Sequence, residues 1–147
     1  MKYKKFISLI VLALLAVPLL TACGPTKIDA TLASYSLTLS ANTAPAGKVT
    51  FHVTNTATDQ NHEFVIFKTD LPEDQLPMKQ DDKGNMVVDE EGPGVTHIAE
   101  IPDTDLLPGT SKDLTVDLAA GRYVIVCNLD VNTQHYAHGM HVVFTVK

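Results

Sequence analysis

Residues 123–146 read YVIVCNLDVNTQHYAHGMHVVFTV. In this stretch seven residues separate Cys127 from His135, and four separate His135 from Met140. A thiol, an imidazole and a thioether in one short connection are donors for a transition metal. A second imidazole is available upstream, from His62 in Asn61-His62-Glu63-Phe64. Soft sulfur and borderline nitrogen together suit copper in both of its oxidation states. Zinc also accepts two His, one Cys and a fourth donor, but it would be redox-silent there. His138 is the alternative to His135. It would leave only Gly139 before Met140, which is tight for two ligands, so His135 is preferred. His138 and His141 then read as solvated histidines at the rim. His52 falls on the polar side of its segment, and His97 has no partner visible in the sequence.

The thiol needs an explanation because of where the chain is expected to reside. The first residues, MKYKKFISLIVLALLAVPLLTAC, carry Lys2, Lys4 and Lys5 before an apolar run from Phe6 to Leu20. That run is short for a membrane span and fits an export signal. It ends in Leu20-Thr21-Ala22-Cys23, which resembles the lipobox of bacterial lipoproteins. The resemblance implies cleavage after residue 22, a lipid on Cys23, and anchoring to the outer side of a bacterial membrane, periplasmic or at the cell surface. Cys127 is then a lone thiol in an oxidising compartment. It is either buried and inert or a metal ligand.

Loss of residues 1–22 removes three of the eleven Lys and Arg and none of the seventeen Asp and Glu, leaving 125 residues with a formal charge of −9. That length is one domain with room for a true core. Such a charge excludes nucleic acid as a partner. It also excludes direct binding to anionic lipid heads, so the membrane link would be the anchor alone. An acidic face can steer a basic protein partner.

The elements that must hold these donors are β-strands. Lys48–Asn55, KVTFHVTN, alternates Val49, Phe51 and Val53 against Thr50, His52 and Thr54, as a half-buried strand does. Segments 30–40, 63–68, 96–101, 112–118, 123–127 and 141–146 read likewise, and 123–127 is apolar on both faces. Residues 23–29 read as a lipidated tether and 30–147 as the domain. Asp70–Gly94 holds Pro72, Pro77, Pro93 and Asp89-Glu90-Glu91. It reads as a long acidic loop insertion with one short helix near Glu73–Leu76. Seven or eight short strands between turns signal an all-β sandwich. Leu118-Ala119-Ala120-Gly121-Arg122-Tyr123 looks like the tyrosine corner of Greek-key folds.

A trigonal His₂Cys site with a weak axial Met is the blue-copper geometry. With His62 early, Tyr-Val-Ile-Val-Cys127-Asn, His135-Tyr-Ala-His-Gly-Met140 and a closing Val-Val-Phe-Thr-Val, the chain resembles the cupredoxins, the plastocyanin and azurin group. The resemblance spans about residues 30–147. It implies a Greek-key β-sandwich with one type 1 copper ion. His62, Cys127 and His135 would be the strong ligands and Met140 the axial one. It further implies one-electron transfer to redox partner proteins by a monomer. The sequence departs from the family in two ways. The connection from Cys127 to His135 is longer than usual. Glu63 also follows the first His where Asn is common, while Asn128 stands close enough in sequence to reach the Cys127 sulfur.

Three functions follow: an electron carrier, a copper storage or delivery protein, and a non-redox interaction module on the same fold. Delivery favours exposed Met-rich or His-rich clusters. Met78 and Met86 stand apart, and only His135–His141 is His-rich. No set of nucleophile, base and orienting group is visible, so an enzyme is not expected.

Overall fold

The computed structural model describes residues 24–129 and 134–147. The expected export signal and Cys23 lie outside the described residues, as do positions 130–133 of the ligand loop. The described residues form eleven strands, β1 (Thr26–Ala33), β2 (Ser36–Leu39), β3 (Thr43–Ala44), β4 (Gly47–Asn55), β5 (Phe64–Thr69), β6 (Met78–Gln80), β7 (Met86–Val88), β8 (Val95–Ile101), β9 (Ser111–Leu118), β10 (Gly121–Val126) and β11 (His141–Val146). A 3₁₀ turn spans Asp103–Asp105. One sheet has the order β2-β1-β4-β9 and the other β3-β11-β10-β5-β8, with β6-β7 as a separate hairpin.

The two large sheets pack face to face as a sandwich, as strand alternation requires. Ile28, Ala30 and Leu32 of β1 and Val49, Phe51 and Val53 of β4 point inward. There they meet Phe64, Ile66, Tyr123, Ile125 and Phe144 of the facing sheet. On the outside of β4, Thr50 and Thr54 bond Thr115 and Ser111 of β9, and His52 Nδ1 lies 2.6 Å from Asp113 Oδ1. His52 is therefore an exposed, paired surface residue.

The first strand starts earlier than the sequence suggests. Residues 26–29, expected as tether, belong to β1, which runs parallel to β4 from Thr26↔Val49 onward. The cause is burial, because Ile28 continues the inward Ala30, Leu32 series and is only 2% exposed.

The 70–94 segment also differs from expectation. It forms no helix at Glu73–Leu76 and instead makes one turn, with the Gln75 N–H donating to the Pro72 carbonyl. Pro77 disfavours helical geometry at Leu76, and the Leu76 N–H donates to the Tyr136 hydroxyl at 2.9 Å. The segment then forms the β6-β7 hairpin and returns to the sheet. Leu76 and Val88 cover Val65 and Phe67 of β5 and Val124 and Val126 of β10. This cover explains why β10 is apolar on both faces. Its Tyr123 and Ile125 face the sandwich core, while Val124 and Val126 face the excursion. Arg122 ties the cover down, donating to the carbonyls of Thr69 and Leu71 and meeting Glu73 at 3.3 Å. The tyrosine corner is present, since the Tyr123 hydroxyl donates to the Ala119 carbonyl at 2.7 Å.

Candidate metal centre

β10 ends at Val126, and Cys127 is the next residue, with its side chain turned into the sandwich. The connection to β11 folds back on this point. The Cys127 N–H donates to the Met140 carbonyl at 3.0 Å, and the Met140 N–H donates to the His135 carbonyl at 3.1 Å. The chain makes this reversal through Gly139, whose φ of 92° is a conformation that side chains with a Cβ disfavour. Three of the residues expected to act together are thereby bonded through their backbones. His62 arrives from the far side, just ahead of β5, with its N–H donating to the Leu106 carbonyl at 3.2 Å.

Asn55 builds the His62 side. It is fully buried. Its amide donates to the carbonyls of Gln60 and Leu106 and accepts from the Ala57 N–H, at 2.9 to 3.0 Å. One side chain thus braces the loop that carries His62 and the carbonyl that His62 binds. In the sequence its one signal is position: Asn55 ends β4 on the apolar face of Val49, Phe51 and Val53.

The donors converge at the core end of this arrangement. Cys127 Sγ lies 3.3 Å from His135 Nδ1 and 3.6 Å from His62 Nδ1, and the two ring nitrogens are 3.3 Å apart. All three residues are 0% exposed. Metal bonds of about 2.0 Å to nitrogen and 2.3 Å to sulfur hold such donors roughly 3.3–3.8 Å apart, which is the spacing observed. Met140 is also fully buried and packs in the same core cluster as Cys127. Two imidazoles, one thiolate and a thioether are the donor chemistry of a type 1 copper centre.

The electrostatics prepare the donors unequally. Burial, followed by the proximity of His135, lowers His62 to about 4, so its imidazole is neutral near pH 7. Burial pushes the Cys127 thiol up to about 12, against the pull of backbone N–H groups from Glu63 and Leu129. The Glu63 N–H lies 3.3 Å from the sulfur. The family departure at Glu63 therefore leaves this contact intact, because any residue can supply a backbone N–H. The Glu63 carboxyl is raised to about 8 by burial and by its neighbours Glu90, Glu100 and Asp103.

The other histidines separate clearly. His138 is exposed and lies against the Tyr35 ring at 5.0 Å. His141 is half-buried against Tyr136, and its Nδ1 is buried without a hydrogen-bond partner among the described residues. His97 does have partners, Glu100 at 3.4 Å and Glu90 at 3.7 Å. Tyr35, from the β1–β2 turn, sets its ring edge-on to His135 at 5.8 Å. Asn128 does not reach the sulfur with its amide. It binds Val88 and Glu90 of the excursion instead.

Solved structures agree with this architecture. Auracyanin from the photosynthetic bacterium Roseiflexus castenholzii superposes with a TM-score of 0.58 at 28% identity, covering 84% of this chain and 99% of its own. Rusticyanin from Thiobacillus ferrooxidans matches at 0.52 and 23% identity, over 85% and 79% of the two chains. Auracyanin B matches at 0.50 and 16% identity, over 83% and 88%. The last two similarities speak to the fold alone. No protein-family model and no curated protein matches the chain. The sandwich, the convergent donors and the auracyanin likeness together define the class: the chain has the fold and the donor set of a cupredoxin.

Proposed function

We propose that the chain is a one-electron carrier built on a single type 1 copper ion, tethered by a lipid to the outer side of a bacterial membrane. The observation that carries the reading is the convergence of Cys127 Sγ with the Nδ1 atoms of His62 and His135, within 3.6 Å and shut off from solvent. When bound, copper supplies a centre that cycles between Cu(I) and Cu(II). His62, Cys127 and His135 would hold it as strong ligands, and Met140 would add a weaker thioether donor. The protein's part is rigidity. Backbone bonds link Cys127, Met140 and His135, and Asn55 braces His62, so the donors keep one geometry in both oxidation states. Rusticyanin, among the similar structures, is a copper protein by its own description.

Enclosure of the donors favours a carrier over a delivery protein, since an ion must leave a delivery site. The lipid anchor rests on the Leu20-Thr21-Ala22-Cys23 signal. The acidic surface suits redox partner proteins with basic docking faces. Copper loading followed by absorption spectroscopy tests the reading. An intense visible thiolate-to-copper band that bleaches on reduction is expected, and Cys127→Ser abolishes it. A colourless protein that binds copper tightly would point to storage or delivery instead.

A further inference from the structure

The Cys127 sulfur is held from the β5 side by the Glu63 N–H, and its backbone N–H is held by Met140. The strand ladder of β10 stops at Val126. Something must therefore fix the chain immediately after the cysteine, before it runs into the ligand loop. Asn128 does this with its side chain. Its Oδ1 accepts from the Val88 N–H at 2.6 Å, and its Nδ2 donates to the Val88 carbonyl at 3.1 Å. Both polar groups of one backbone residue are matched by one side-chain amide, as a paired strand would match them. The same Nδ2 also donates to Glu90 Oε1 at 3.0 Å. Asn128 is 9% exposed and Val88 0%, so water competes poorly for these bonds.

We infer that Asn128 is a positioning residue for the metal centre, clasping the Cys127 backbone to β7 of the acidic excursion. The excursion is then part of the scaffold of the centre. The sandwich holds Cys127 on one side, and the hairpin holds it on the other through this amide. Groups that orient ligands from outside are worth about 10- to 100-fold in metal affinity. This inference rests on the copper reading for its spectroscopic arm only.

The test compares the copper-loaded and metal-free forms of the wild type with Asn128→Ala, Asn128→Asp, Glu90→Gln and Leu76→Ala. Asn128→Ala is expected to lose about tenfold or more in copper affinity and to shift the thiolate band. In the metal-free protein it should also speed alkylation of Cys127 by iodoacetamide. Glu90→Gln keeps an oxygen for Nδ2 and removes only a charge, so band and alkylation should stay as in wild type. Leu76→Ala loosens the packing of the excursion but leaves the Asn128–Val88 bonds in place, so it should shift the band less than Asn128→Ala does. If Asn128→Ala does not fold, Asn128→Asp retains the acceptor for the Val88 N–H and loses the donors, and it should move the same readouts in the same direction. Unchanged affinity, band and alkylation in the folded Asn128 variant would overturn the inference, as would an equal band shift in Leu76→Ala or Glu90→Gln. A wild type without any thiolate band would refute the copper reading, and the alkylation arm would then decide the clasp alone.

Discussion

At the scale of single residues, burial sets the protonation of the donors. His62, lowered to about 4, needs no proton removed near neutral pH, whereas Cys127, raised to about 12, must lose one to bind metal. Copper binding should therefore release at least the Cys127 proton, and apparent affinity should rise by roughly tenfold or more per pH unit between about pH 5 and 9. Competition titrations at several pH values measure that slope. Glu63 acts in the opposite sense on stability. Its carboxyl ionises at about 8 in the folded protein, against an ordinary 4.5. Between those values the folded chain keeps a proton that the unfolded chain has lost, so stability falls as pH rises through the window and levels off above it. Glu63→Gln should stabilise the metal-free protein by on the order of 1–2 kcal/mol at pH 8, allowing for solvent screening of a partly exposed group. At pH 4 it should change little. Denaturant unfolding at both pH values reads the difference.

At the scale of elements, two features carry the centre. The tyrosine corner closes the turn into β10, the strand that delivers Cys127. Tyr123→Phe removes the hydroxyl bond to Ala119 and should cost about 1 kcal/mol, measured as a lower denaturation midpoint. The excursion is the second. Leu76 is 4% exposed over the outer face of β5 and β10. Leu76→Ala should cost about 2–4 kcal/mol through the cavity it leaves, and hydrogen exchange should rise in 70–94 before it rises in the sandwich. An unstructured insertion would give neither result. Alternation in β4, β9 and β11 was legible in the sequence because each has a period of two against one apolar core. The hairpin was not, because its strands are three residues each and its cover is assembled from positions far apart in the chain.

At the scale of the whole molecule, the direction of β1 orients the centre. The strand begins at Thr26, three residues beyond the proposed lipid attachment at Cys23, and ends at Ala33. The turn that follows carries Tyr35, whose ring touches His135. Eight extended residues span roughly 26 Å, so a lipid at Cys23 would hold the metal end away from the membrane, toward soluble partners. Cys23→Ser should move the protein from the membrane fraction to the soluble fraction and leave the copper band unchanged. With a formal charge of −9 if the proposed export segment is removed, electron exchange with a basic redox protein should slow steeply as salt is raised. Stopped-flow rates across an ionic-strength series measure this.

The sequence by itself determined the donor types, the β class and the tyrosine corner. These depend on residue identity and short-range alternation, and both are local. It also carried the preference for His135 over His138, as a matter of spacing to Met140. The tertiary structure decided which atoms meet. Asn55 reaches Leu106 across 51 residues, the Glu63 N–H reaches the Cys127 sulfur across 64, and Asn128 reaches Val88 across 40. Such pairings follow from sheet order and register, in which residues distant in the chain become neighbours. A linear pattern of residue types holds no measure of that proximity.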